Sequence, residues 1–308
     1  MPKVSICIPT YNNLEAFKRC LHSVLIQTYT DYEVVVTDDS SNEDIKNYLA
    51  GNSNLENIFY FKNQKALGSP ENWNEAIRKS KGDYIKILHH DDWFTHENSL
   101  GIFVQLLDKH PASAFAFVAS KNINLENNTI INYNRPSKEK IDEIKNNPIT
   151  LLNGNFIGAP SATIFRKNNF SIFDVNTIWF VDIDFYIQIL TQNNNLIFSE
   201  IDAISIGASP TQITKSVESN KAINIVEHFY LLNKWDIKKV IGSPVEQTTY
   251  SQIKRFGIRN AQDIKKLGFK DSLPIDINKL FRQIFFSNLK EKLKSIIKNS
   301  NFSKKNNE

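Results

Sequence analysis

Cysteine, glycine and proline are all scarce in this chain, and each shortage closes off a class of protein. Two cysteines in 308 residues, Cys7 and Cys20, cannot build a disulfide framework, and their spacing matches no zinc motif. A reducing compartment is the natural inference. Ten glycines and ten prolines exclude collagen-like and linker-like chains. No apolar run reaches the ~18–20 residues that a membrane span needs. The opening MPKVSICIPTYNN is apolar for too short a stretch to be a signal peptide. Neither sign of charge dominates: 37 Lys and Arg against 33 Asp and Glu leave a formal +4. That excess is too small for a dedicated nucleic-acid binder, so no nucleic-acid partner is expected. What remains is a globular chain, 41% hydrophobic and 23% charged. It is expected in the cytoplasm, either free or peripheral on the inner face of the cell membrane.

The first third alternates strand and helix. Residues 4–8, 32–37, 58–61 and 84–88 are β-rich apolar runs. Between them, Leu14, Phe17, Leu21, Val24 and Leu25 recur at helical spacing, and 42–49 and 70–80 read as further helices, the latter with Pro70 at its first turn. A helix is also expected over 100–107. Such alternation predicts a mostly parallel α/β sheet flanked by helices, with ligands outside the C-terminal strand ends. Residues 114–133 suggest a hairpin, 134–147 a mobile polar loop, 153–166 a small-residue loop entering a strand, and 179–190 an amphipathic helix. From about 215 onward the chain reads as helical.

Three acidic clusters stand out. Asp38 and Asp39 follow the second strand, where they could form a solvated turn or accept hydrogen bonds from a base or ribose. His89, His90, Asp91 and Asp92 follow the fourth strand. Adjacent carboxylates repel unless a cation compensates them. Mg²⁺ or Mn²⁺ bridging a diphosphate would do so, with a histidine nitrogen favouring Mn²⁺. Asp182 and Asp184 lie in an aromatic stretch, where burial would raise a carboxylate's pKa towards that of a general base; a helix N-terminus also favours acids there. No GxxxxGK[ST], GxGxxG or GxSxG motif competes.

VSICIPTYN at 4–12, VVVTDDSS at 34–41, ALGSPENWNEAIRKSKGDYIKILHHDDWF at 66–94 and the acids at 182–184 resemble family 2 glycosyltransferases of the GT-A fold. The likeness is strong over 3–94 and weaker to about 210. It implies a Rossmann-like GT-A catalytic domain over 1–210 and a C-terminal helical extension over 211–308. It also implies inverting transfer from a UDP- or dTDP-sugar to a hydroxyl of a glycan or lipid-linked acceptor, with Mn²⁺ or Mg²⁺. By position, Pro9, Thr10, Tyr11, Asp38, Asp39, Gly68, Asn74 and Asp92 would serve the donor. Asp91 and His89 would hold the metal. Asp182 would be the base, with Asp184 its rival. Arg166 or Ser161 would touch donor or acceptor, or simply pack.

The chain departs from the family pattern in three places. His89 stands where the first Asp of Asp-x-Asp is usual, Asn72-Trp73-Asn74 replaces Ala-Arg-Asn, and Val181-Asp182 replaces Glu-Asp. No QxxRW motif is present, which favours single-sugar transfer. Two alternatives stay open: a sugar-phosphate nucleotidyltransferase, and a non-catalytic nucleotide-sugar-binding relative. Near the C-terminus, Leu280, Phe281, Ile284, Phe285, Leu289, Leu293, Ile296 and Ile297 mark an apolar stripe among lysines. Such a helix can lie on an anionic membrane or pack on the domain.

Overall fold

A computed structural model describes residues 1–52, 56–167, 172–209 and 217–305. The chain forms two compact units, Met1–Ser216 and Val217–Glu308. The expected domain boundary at 210/211 falls outside the described residues.

The first unit is built on a sheet that contains nine strands among the described residues. They are β1 (Val4–Thr10), β2 (Tyr32–Asp38), β3 (Ile58–Lys62), β4 (Tyr84–Ile87), β5 (Trp93–Phe94), β6 (Phe115–Asn124), β7 (Ile130–Asn134), β8 (Thr163–Arg166) and β9 (Leu196–Ala208). Their order is β3-β2-β1-β4-β8-β6-β9-β5, with β7 paired to β6. The helices are α1 (Leu14–Leu25), α2 (Asp44–Ala50), α3 (Glu71–Lys79), α4 (Ser99–Asp108), α5 (Lys138–Asn146) and α6 (Val181–Gln192).

The block β3-β2-β1-β4 is wholly parallel, as its strand–helix alternation requires. Beyond it the pairing turns: β8 runs antiparallel to β4 and to β6, while β9 runs parallel to β6. The sheet is therefore mixed, and parallel mainly in its N-terminal half. β1 and β2 are buried over almost their full length, which explains their unbroken apolar runs. The core gathers Val4, Ile6, Ile8, Val34 and Val36 from these strands with Phe17, Leu21 and Val24 from α1 and Leu100, Phe103 and Leu107 from α4. Asn13 caps α1 by accepting from Ala16 N at 3.1 Å.

The segment expected as a mobile loop, 134–147, holds helix α5. Ser137 caps it by accepting from Lys140 N, and Ile141 and Ile144 are buried on one face. Two apolar positions one turn apart suffice once they meet a core, although the segment reads as polar overall. β9 runs for thirteen residues and had no counterpart in the sequence reading.

The second unit contains α7 (Lys221–Lys234), α8 (Glu246–Arg255), α9 (Ala261–Lys266) and α10 (Ile277–Lys305). Cys7 and Cys20 are both buried free thiols.

Candidate active site

Register sets the rim. Thr10 at the end of β1 pairs with Asp38 at the end of β2, and Cys7 pairs with Ile87 at the end of β4. The loop after β4 therefore emerges beside Pro9, whose carbonyl lies 3.2 Å from His90 Nδ1. β8 runs the opposite way, so the turn before it, Pro160–Ala162, reaches the same rim. β9 also ends there, and Gly207 N donates to Asp92 Oδ1 at 3.1 Å.

The loop brings His89, Asp91 and Asp92 together, with one ligand atom of each within 4.8 Å of the others. His89 Nδ1 lies 3.9 Å from Asp92 Oδ2. His89 Nε2 is enclosed with no hydrogen-bond partner among the described residues, and its ring packs on Trp73 at 4.4 Å between centroids. Burial lowers the His89 pKa to about 4, so its imidazole is neutral and keeps a lone pair to offer. The Asp92 carboxyl is pushed well above the usual range, by burial first and then by Asp91. One imidazole and two carboxylates suit a divalent cation, and the nitrogen favours Mn²⁺ over Mg²⁺. The enclosed Nε2 and the raised Asp92 carboxyl are what such a set would show before a cation compensates it.

Three groups shape this loop, and two of them, Lys86 and Arg19, were missed in the sequence. Ser161 Oγ accepts from His89 N at 3.0 Å and also bonds Asp92. Lys86, fully buried, donates to Ile87 O at 2.9 Å and to Ser161 O. Its ammonium lies over the Phe94 and Phe103 rings at 5.5 and 4.5 Å, and burial lowers its pKa to about 7. Arg19 donates to Asp91 O at 3.0 Å and covers the Trp93 ring. Gly207 is needed for close approach: a Cβ there would sit 2.4 Å from Asp91 O. The lysine was hidden because an isolated cation in YIKI reads as a solvated strand position.

The Asp38–Asp39 pair is committed to the scaffold. Asp38 is fully buried and accepts from Thr10 Oγ1 at 3.1 Å, Ser40 N at 2.8 Å, Tyr60 OH at 2.6 Å and Lys62 Nζ at 3.2 Å. Burial alone would raise its pKa; the bonds from Ser40, Tyr60 and Lys62 win and lower it. With four donors from within the chain and no exposed surface, Asp38 holds the ends of β1, β2 and β3 together. Asp39 accepts from Asn63 Nδ2 at 2.7 Å, Leu67 N at 3.0 Å and Gly68 N at 2.8 Å. Gly68, at φ +75°, thus spends its N–H on Asp39.

Asn74, expected at the donor, is fully buried. Its Oδ1 accepts from Phe173 N, and its Nδ2 donates to Phe173 O and Glu71 Oε2. It is a packing residue that fixes residue 173 to α3. Thr10 likewise turns its hydroxyl inward to Asp38. Of the β1-end trio, Tyr11 is the open one, at 56% exposure. Arg166 lies at the opposite sheet edge, paired with Tyr84 at the start of β4. It donates to Ser113 O, Leu107 O and Tyr84 OH, so the suggested ligand contact is replaced by a structural one.

Asp182 and Asp184 lie in the first turn of α6. Asp184 is fully buried. Asp182 is partly exposed as a residue, yet among the described residues its Oδ1 is enclosed without a partner and its Oδ2 has only a 3.5 Å contact from Asn155 Nδ2. Burial raises its pKa to about 7. Asn155 Oδ1 in turn accepts from Gly158 N. One short segment, 155–161, thus touches Asp182 at one end and the His89–Asp92 loop, through Ser161, at the other.

A family model described as "Glycosyl transferase family 2" matches residues 5–172. The chain belongs to that family. It is 25% identical over 312 residues to the GalNAc(5)-diNAcBac-PP-undecaprenol beta-1,3-glucosyltransferase of Campylobacter jejuni, covering 96% of this chain and 98% of that one. It is 35% identical over 144 residues to the chondroitin synthase of Escherichia coli, covering 46% of this chain and 21% of that one. An uncharacterized Mycobacterium tuberculosis protein is 27% identical over 206 residues, with 62% of this chain and 63% of that protein covered. The match thus takes in less than two thirds of these last two relatives.

Solved glycosyltransferases share the fold. S. aureus TarS 1–349 in complex with UDP-GlcNAc superimposes with a TM-score of 0.59 at 16% identity, over 92% of this chain and 79% of that one. The mannosyltransferase PcManGT from Pyrobaculum calidifontis, in complex with GDP-Man and Mn²⁺, gives 0.58 at 14% identity, over 95% and 81%. The chain thus joins membership of that family to a mixed α/β GT-A fold.

Proposed function

We propose that this glycosyltransferase moves a single sugar, with inversion, from a nucleotide-sugar to a hydroxyl of a glycan or lipid-linked acceptor, using a divalent cation. One observation carries the reading: a desolvated carboxylate with an unspent oxygen, Asp182, tied through residues 155–161 to the His89–Asp91–Asp92 group. The lipid-linked acceptor class and full-length likeness of the Campylobacter relative support the acceptor assignment. The donor class is supported by the nucleotide sugars in the solved neighbours.

His89 and Asp91 would hold the cation, with Asp92 behind them. Bound there, it would offset the charge that grows on a departing diphosphate. Asp182 removes the acceptor proton as the acceptor oxygen forms a bond to the anomeric carbon. The bond from that carbon to the diphosphate oxygen breaks, and the nucleoside diphosphate leaves with the electron pair. Attack opposite the leaving group inverts the configuration. Tyr11, exposed beside the loop, is the open contact for the donor base. The bond from Gly68 N to Asp39 fixes the turn at Gly68.

Thermal melts with UDP, dTDP and GDP, each with and without Mn²⁺, test the reading. A ligand present at about 100 times its Kd should stabilise the native state by about 2.7 kcal/mol. No shift with any nucleotide would sink the proposal. Pyrophosphate release from a nucleoside triphosphate and a sugar phosphate would favour nucleotidyl transfer instead, a reading the family match does not support.

A further inference from the structure

Helix α10 divides its apolar residues between two faces. Ile277, Leu280, Phe281 and Ile284 are buried, at 4%, 0%, 8% and 5% exposure. Phe285 and Phe286 are each 63% exposed, and Leu289 is 44% exposed. The packed half of the sequence stripe therefore ends at Ile284. The side chains of Leu293, Ile296 and Ile297 lie outside what the structure describes.

At about 100° per residue, Phe285, Leu289, Arg282 and Phe286 fall within a sweep of roughly 100°. Lys279 and Lys290 border that sweep, and all three cations are exposed. α10 holds eight basic residues and one acid, a formal +7 in a chain whose net charge is +4. The one acid, Glu291, is paired with Lys254 Nζ at 2.8 Å. Among the described side chains of α10, the exposed apolar face therefore carries cations and no unpaired acid.

We propose that this face docks on an anionic lipid bilayer. Phe285, Phe286 and Leu289 enter the headgroup–acyl boundary, while Lys279, Arg282 and Lys290 meet the lipid phosphates. Two exposed phenylalanines among cations match the chemistry of an interfacial helix, where apolar burial and attraction to anionic lipid act together. A second copy of the same face would set like charges against each other, so the charge pattern selects lipid over self-association. No helix among the described residues is long and apolar enough to cross a membrane, so the contact is peripheral. The proposal stands on the helix alone and does not need the sugar-transfer reading.

The test is co-sedimentation of the full chain with phosphatidylcholine vesicles and with vesicles that also contain phosphatidylglycerol. Binding is expected only to the anionic vesicles, and added salt should weaken it. Phe285→Ser with Phe286→Ser, and separately Lys279→Gln with Arg282→Gln and Lys290→Gln, should each reduce partitioning roughly tenfold or more. Both sets are solvent-exposed, so melting temperature and nucleotide-dependent stabilisation should stay as in the wild type. The proposal is overturned if the wild type stays in the supernatant with anionic vesicles, or if both variants sediment as it does. It is also overturned if light scattering shows a dimer that Phe285→Ser with Phe286→Ser dissolves.

Discussion

The end of β2 and the start of α6 each present two aspartates, and the fold treats them in opposite ways. At β2, Asp38 receives four hydrogen bonds and its pKa is lowered despite burial. At α6, Asp182 receives one contact of 3.5 Å and its pKa is raised to about 7. Donors that offset desolvation separate a carboxylate that holds the sheet together from one whose burial goes uncompensated.

The largest effect expected is from Asp182→Asn. Transfer should fall roughly 10²–10⁴-fold, with nucleotide binding intact by thermal shift. Asp184→Asn should instead lower the melting temperature, because that side chain is fully enclosed. Unchanged turnover in Asp182→Asn would erase the contrast between the two ends. The same carboxylate fixes the pH dependence: kcat/KM should rise with pH through a midpoint near 7 that depends on Asp182. Its folded-state value lies above the ordinary ~3.9. Between those values the native state binds the proton that the unfolded chain has released, so this group makes stability fall as pH rises.

Asp38 should behave in reverse. Its lowered pKa contributes stability that is present above the ordinary carboxylate value of ~3.9 and is lost as pH falls through the folded value. Asp38→Asn should cost about 1–3 kcal/mol by urea unfolding, since buried donors lose their acceptor. The stability difference between the wild type and Asp38→Asn should shrink as pH falls below ~3.9, and a difference that stays constant there would count against it. The smallest effect is from Tyr60→Phe, which removes one of the four bonds and should cost about 1 kcal/mol.

Much of this contrast could not be read from the sequence. The four parallel strands were legible because burial on both faces leaves continuous apolar runs such as VSICI and YEVVV. Their C-terminal ends pointed to the rim, and the loop holding His89, Asp91 and Asp92 was recognisable there. The fates of Asp38, Asp39 and Asn74 were not. Each is decided by partners 22 to 99 residues away, Tyr60, Leu67, Gly68 and Phe173. Lys86 was missed for the same reason: its importance lies in a contact with Ser161, 75 residues away. Helix α5 did carry a local signal, the cap at Ser137, which its polar composition masked.

The contact between Trp73 and His89, 4.4 Å between ring centres, has an optical consequence. An indole resting on an imidazole reports changes in that imidazole's charge and position through its emission. Where substitution of Trp73 removes a fluorescence change on adding Mn²⁺, the signal belongs to this loop. The protein thus carries its own dye at the point where its chemistry is expected to begin.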